Sequence, residues 1–119
     1  MLTGFNYSVL LTFDKEKQND VQQWFTEDHF PKMWKTDCFQ SVSYKMVPAN
    51  DSGAIFRLHM FEFTSNEART LYEDRFKPLM IEEFVKRWED DVNENRLQIV
   101  RDFAGDINGE TIILYQRPA

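Results

Sequence analysis

The sequence is poor in the residues that staple, coordinate or cradle. It has one cysteine, Cys38, in 119 residues, so an intramolecular disulfide and the two- or four-thiolate zinc patterns are excluded. A reducing, cytoplasmic setting is the expectation. The two histidines, His29 and His59, form no His-x-x-x-His pair, which leaves no dedicated metal site even with Glu27 and Glu62 counted as further donors. There is no Gly-rich phosphate loop, nucleophile elbow or Cys/His catalytic pair, so nucleotide-dependent and covalent mechanisms are disfavoured and no cofactor is expected. No apolar run approaches the ~18 residues of a membrane span, and the N-terminus lacks the basic and apolar regions of a signal peptide. With 20 acidic residues against 14 basic ones the formal charge is −6, and no basic stripe offers itself to a phosphate backbone. Neither nucleic acid nor membrane is an expected partner.

Aromatic residues are abundant instead. Hydrophobic residues make up 42% of the chain and aromatics 15%, with eleven phenylalanines, which implies a packed core in one domain spanning residues 1–119.

The chain order of patterns is legible. Residues 5–13 alternate, with Phe5, Tyr7, Val9, Leu11 and Phe13 on one side, and predict a first strand. Asn19 or Asp20 can cap a helix that carries Val21, Trp24 and Phe25, and Pro31 is expected to break or kink it. Residues 39–47 and 54–63 predict two strands joined through Pro48-Ala49-Asn50-Asp51-Ser52-Gly53 as a hairpin. Thr64 to Glu67 has capping-box spacing ahead of a long helix to about residue 90, with a kink or division at Pro78. A fourth strand begins at Leu97, and Asn108-Gly109 predicts a tight hairpin to a fifth strand at residues 112–115. The order β-α-β-β-α-β with an extra C-terminal hairpin strand is the ferredoxin-like α+β arrangement, an antiparallel sheet with both helices on one face.

The helix-facing side of that sheet is expected to hold Tyr7, Val9, Leu11, Val42, Tyr44, Phe56, Leu58 and Met60. The other side would hold Arg57 and His59 together with Leu10, Ile55, Phe61 and Phe63. An exposed face this apolar predicts a homodimer by sheet-on-sheet packing that buries Phe61 or Phe63.

Trp24, Glu27, His29, Pro31, Cys38 and Phe39 form a helix ending in Glu-x-His-x-Pro and an aromatic link into the second strand. In this the chain resembles the dimeric α+β barrel superfamily, especially its EthD-like members. That resemblance implies a fold more strongly than an activity, since the superfamily includes cofactor-free monooxygenases, polyketide cyclases, lactone isomerases and haem-degrading enzymes.

Candidate chemistry centres on Asp28 and His29. At about 100° per residue from Trp24, Val21 falls near 60°, Asp28 near 40° and His29 near 140°. Asp28 is thus expected inside the apolar stripe, with a raised pKa, and His29 at its edge, as a pair for acid/base catalysis. The competing role for Asp28 is to cap the turn starting near Pro31. Arg57 and His59 could bind a carboxylate or phenolate, or pair with acidic residues across a dimer. Trp24, Phe25, Trp34, Tyr44 and Tyr72 could line a pocket for a small apolar or aromatic ligand, or simply be core. The functional expectation is a cofactor-independent isomerase, cyclase or monooxygenase; the alternative is a non-catalytic homodimer.

Overall fold

A computed structural model describes residues 6–47 and 53–118. Five strands, β1 (Asn6–Asp14), β2 (Phe39–Val47), β3 (Ala54–Phe63), β4 (Leu97–Arg101) and β5 (Ile112–Gln116), form one sheet in the order β4-β1-β3-β2-β5. Every neighbouring pair is antiparallel. The first helical segment runs from a 3₁₀ turn (Lys15–Lys17) through α1 (Gln18–Trp24), a π turn (Phe25–His29) and α2 (Phe30–Trp34). The second comprises α3 (Asn66–Leu71), a π turn (Tyr72–Phe76) and α4 (Lys77–Asn93). The α+β class and the spans of β2 and β3 are as the patterns predict. Phe5 and the turn cluster at residues 48–52 lie outside the described residues.

Neither proline ends its helix, and the caps differ from those expected. The 3₁₀ turn leads straight into α1 without a side-chain cap, so Asn19 and Asp20 are helical. Ser65, one residue after Thr64, caps α3 by accepting from the Ala68 N–H at 3.0 Å.

The register overturns the expected faces of β3. Val9 pairs with His59, Leu11 with Arg57 and Tyr7 with Phe61, while Tyr44 pairs with His59 across the other ladder. Directly opposed residues share a face, so Arg57, His59, Phe61 and Phe63 point with Val9 and Leu11 toward the helices. Both helical segments cover that face, supplying Val21, Phe25, Phe30, Tyr72, Phe84 and Trp88 to one core. Phe56, Leu58 and Met60 take the far side. β3 is apolar on both faces, so a period of two cannot select between them, and packing against the helices does. Phe61 and Phe63 are 4% and 2% exposed within the chain's own core, so they do not form the expected dimer interface.

The predicted C-terminal hairpin is also replaced. After β4 the chain crosses the far face to the opposite edge, where β5 pairs with β2. On the way the Phe103 N–H donates to the Ser8 carbonyl at 3.0 Å, and Asp106 pairs with Lys45 at 3.0 Å. Gly109 lies so close to β2 that a Cβ there would sit 3.0 Å from the Met46 carbonyl oxygen. The helices cannot reach Leu58 on this face, yet it is 2% exposed, which the crossing segment explains. Arg117 anchors the far end, donating from Nε to the Phe39 carbonyl at 2.8 Å and pairing with Asp37 at 3.0 Å.

Asp91, near the end of α4, ties the two helical segments together through Lys17 at 3.0 Å and holds the turn after α4 through Arg96 at 2.8 Å. Burial opposes ionisation, but hydrogen bonds from Arg96 and Lys17 outweigh it and hold the carboxyl below its usual range. A depressed folded pKa stabilises the protein above the unfolded value, about 3.9, and the contribution is lost as pH falls through the folded value. Asp91→Ala is expected to cost about 1–3 kcal/mol at neutral pH, read by urea unfolding, with the gap closing below about pH 4. An unchanged midpoint at pH 7 would refute this role.

Candidate functional site

Each helical segment has a proline two residues after the end of a turn wider than an α-helix. The Phe30 N–H donates to the Phe25 carbonyl, and the Lys77 N–H to the Tyr72 carbonyl, five residues back in both cases. Pro31 and Pro78 follow. Proline has no N–H to donate, and its ring crowds the carbonyl four residues earlier. Widening the preceding turn moves that carbonyl aside, so the helix continues.

The wide turn also resets which side chains face inward. Trp24 and His29, five residues apart, stack with ring centroids 4.7 Å apart and planes at 21°, and His29 is 8% exposed. Asp28 turns outward and pairs with Lys32 at 3.1 Å, its side chain 47% exposed. The expected desolvated carboxyl is therefore absent, because a 100° step does not hold through a π turn. Such turns recur at functional sites.

Both π turns open onto one cavity between helices and sheet, of ≈ 40 Å³, lined by Phe25, His29 and Tyr72 and, from the sheet, Tyr7 and His59. Half-buried Lys77 and Met80 of α4 and Ile99 and Arg101 of β4 form its mouth. Two or three waters fit, whereas pockets for drug-sized ligands hold about 300–1,000 Å³.

The chemistry of the lining follows from burial. Desolvation drives the His29 pKa down to about 4, with Asp28 opposing too weakly, and its buried Nδ1 has no hydrogen-bond partner among the described residues. His59 is 1% exposed. Burial first, and then the neighbouring charge of Arg57, hold it well below the ordinary histidine range. Both imidazoles are neutral at pH 7. Arg57 Nε donates to His59 Nε2 at 2.7 Å, which leaves the His59 proton on Nδ1. Tyr7 is pushed up to about 12 and Tyr72 higher still, in both cases mainly by burial, so both phenols keep their protons.

Arg57 is itself buried, at 1% exposure. It also donates to Gln22 Oε1, and its guanidinium lies 4.0 Å from the centre of the Tyr44 ring. No carboxylate pairs with it among the described residues. Desolvation lowers its pKa to about 10, which still leaves it charged at neutral pH.

Of the residues singled out from sequence, Phe25, His29, His59 and Tyr72 meet at the cavity. Trp24 backs His29, and Arg57 with Tyr44 stands one layer away, connected through His59. Trp34 lies elsewhere, stacked on Tyr115 at 5.0 Å with Arg117 over its ring. Tyr7, Gln22, Lys77 and Arg101 escaped sequence reasoning. The alternation Leu97, Ile99, Arg101 offered a signal, since it places a cation on the core-facing side of β4.

Fold and cavity together define a small α+β protein in which two proline-interrupted helical segments cover one face of a five-stranded antiparallel sheet. The chain belongs to the family described as Domain of unknown function (DUF4286), which matches residues 5–100. No curated protein and no solved structure matches the chain. Among the described residues no helix is long and apolar enough to cross a membrane.

His29 and His59 are the chain's only histidines, and their burial carries a pH signature. As pH falls below about 6.5 the unfolded chain binds protons that the folded imidazoles refuse, so stability falls. For His29 the loss accumulates to roughly 3 kcal/mol by about pH 4, at 1.36 kcal/mol per unit. Urea unfolding is expected to show an uptake that rises from about one proton at pH 6.5 toward two near pH 5 in the native sequence, and half of that in His29→Phe. Equal slopes for the two proteins would contradict this assignment.

Proposed function

We propose that the protein binds a small molecule at the His29 cavity and that His29 is its proton-transfer group, within a dimeric α+β barrel of ferredoxin-like topology. The observation that carries this reading is the state of His29: a neutral, nine-tenths buried imidazole on the cavity wall whose Nδ1 has no partner among the described residues. A neutral imidazole can take a proton from a carbon next to a carbonyl and return it elsewhere, the enolate that forms beside it offsetting the burial that otherwise disfavours the imidazolium, and this step is shared by cofactor-independent isomerisation and cyclisation. The phenols of Tyr7 and Tyr72 are donors for an enolate oxygen in the same space. The order of the first four strands, β4-β1-β3-β2, supports the ferredoxin-like topology.

The small volume of the cavity, ≈ 40 Å³, favours a second reading, a non-catalytic homodimer whose cavity holds only water. Thermal-shift screening against aromatic acids, quinones and polyketides separates the two. The first reading expects a stabilising compound whose effect disappears in His29→Ala. A flat response across the panel supports the second. Both expect light scattering at micromolar concentration to report twice the chain mass.

A further inference from the structure

We propose that the ligand of this cavity is an organic carboxylate, its anionic end received between Arg101 and Lys77 and by the neutral donors of His29 and Tyr7. This names the ligand class of the site in the preceding reading and rests on that reading.

The first argument is the sign of the lining. Acidic residues outnumber basic ones by 20 to 14 in the chain, yet the cavity is lined by two cations, two imidazoles and two phenols and, among the described residues, by no carboxylate. A lining that holds donors and cations, in a protein of net charge −6, is suited to an anion.

The second argument is that one cation, Arg101, is free of ion pairs among the described residues and the other, Lys77, is held only by a long, exposed one. Arg101 makes no ion pair among the described residues, and its guanidinium lies over the Phe84 ring at 5.4 Å. Lys77 sits over the Tyr7 ring at 4.6 Å. It forms one long ion pair, with Asp102 at 3.9 Å, whose side chain is 65% exposed and is not among the lining residues. Glu73, the other acid close to Tyr7, is held by Arg69 at 3.2 Å.

The third argument is the unpartnered Nδ1 of His29. Without a proton Nδ1 is the base of the preceding reading, and in the tautomer that carries the proton there it donates to a bound carboxylate. A volume of ≈ 40 Å³ admits a carboxylate in place of two or three waters. The apolar body of the ligand then lies against Met80, Ile81 and Ile99 of the same lining. A planar carboxylate matches the fork of an arginine. A phosphate is less well served, because α4 continues an existing helix and presents no free N-terminal N–H groups.

The test follows the His29 Hε1 resonance of the full chain by NMR during titration with acetate and phenylacetate, with acetamide and phenylacetamide, and with inorganic phosphate. The carboxylates are expected to move the resonance with affinities about tenfold above those of the matching amides. They should also raise the pH at which His29 titrates. Arg101→Gln and Lys77→Met are each expected to weaken phenylacetate about fivefold or more while leaving phenylacetamide unchanged, with amide-proton dispersion reporting that the fold is kept. Acids and amides binding equally would overturn the carboxylate assignment and leave small-molecule binding standing. Phosphate binding at His29 more tightly than phenylacetate would overturn it in favour of a phosphoryl ligand. No response to any of these probes would overturn the assignment together with the reading beneath it.

Discussion

A proline inside a helix must be accommodated, and in this protein both helical segments carry one. A helix that stopped at Pro31 or Pro78 would leave unsatisfied carbonyls against the sheet, where water cannot reach them. Each helix instead widens by one residue just before its proline, and the phase of the following side chains rotates with it. The consequence in the first segment is specific: His29 swings under Trp24 and into the interior, while Asp28 swings out to Lys32. In the second, Tyr72 is buried beneath Phe39 and Phe63 and Lys77 is delivered to the cavity mouth. The polar interior of this protein is a product of two backbone irregularities with one cause.

Arg57 is the energetic counterpart of that interior. Removing a guanidinium from water costs several kcal/mol even after relaxation, and no acidic residue among those described offsets it. What remains is a set of weaker compensations, namely the face of Tyr44, the Gln22 amide oxygen and the lone pair of His59 Nε2. Holding His59 neutral and in one tautomer is the product of this arrangement. The cluster lies on the same sheet face as the cavity and meets it at His59. Aromatic edges from Phe25 and Phe30, with ring centroids 4.5 and 4.9 Å from His59, close the remaining sides.

The far face of the sheet is managed differently. An apolar row through Leu10, Leu58 and Met60 faces away from both helices, and the segment between β4 and β5 straps across it before β5 closes the β2 edge. The family match ends at residue 100, so the strap and β5 lie beyond it. Exposed Ile112 and Ile113 on β5 and Val100 on β4 keep both sheet edges partly apolar.

Much of this was legible from residue patterns. Alternation located all five strands, the single cysteine excluded a disulfide framework, and the aromatic stretch from Trp24 to Phe39 marked the segment that seats the first helix. Errors arose wherever a local signal met a longer-range one. Asn108-Gly109 has the composition of a tight hairpin, but Gly109 is there to let the chain approach Met46, and β5 finds its partner across the sheet. β3 is apolar on both faces, so its alternation gives no direction, and Arg57 and His59 were placed on the wrong side. The sequence by itself determined the elements and their class, because periodicity and turn chemistry are local. Only the tertiary structure decided the phase of β3, the inward turn of His29 and the cavity between them, because the first depends on which of two nearly equivalent faces packs against the helices and the second on a helix that widens before Pro31 rather than stopping there.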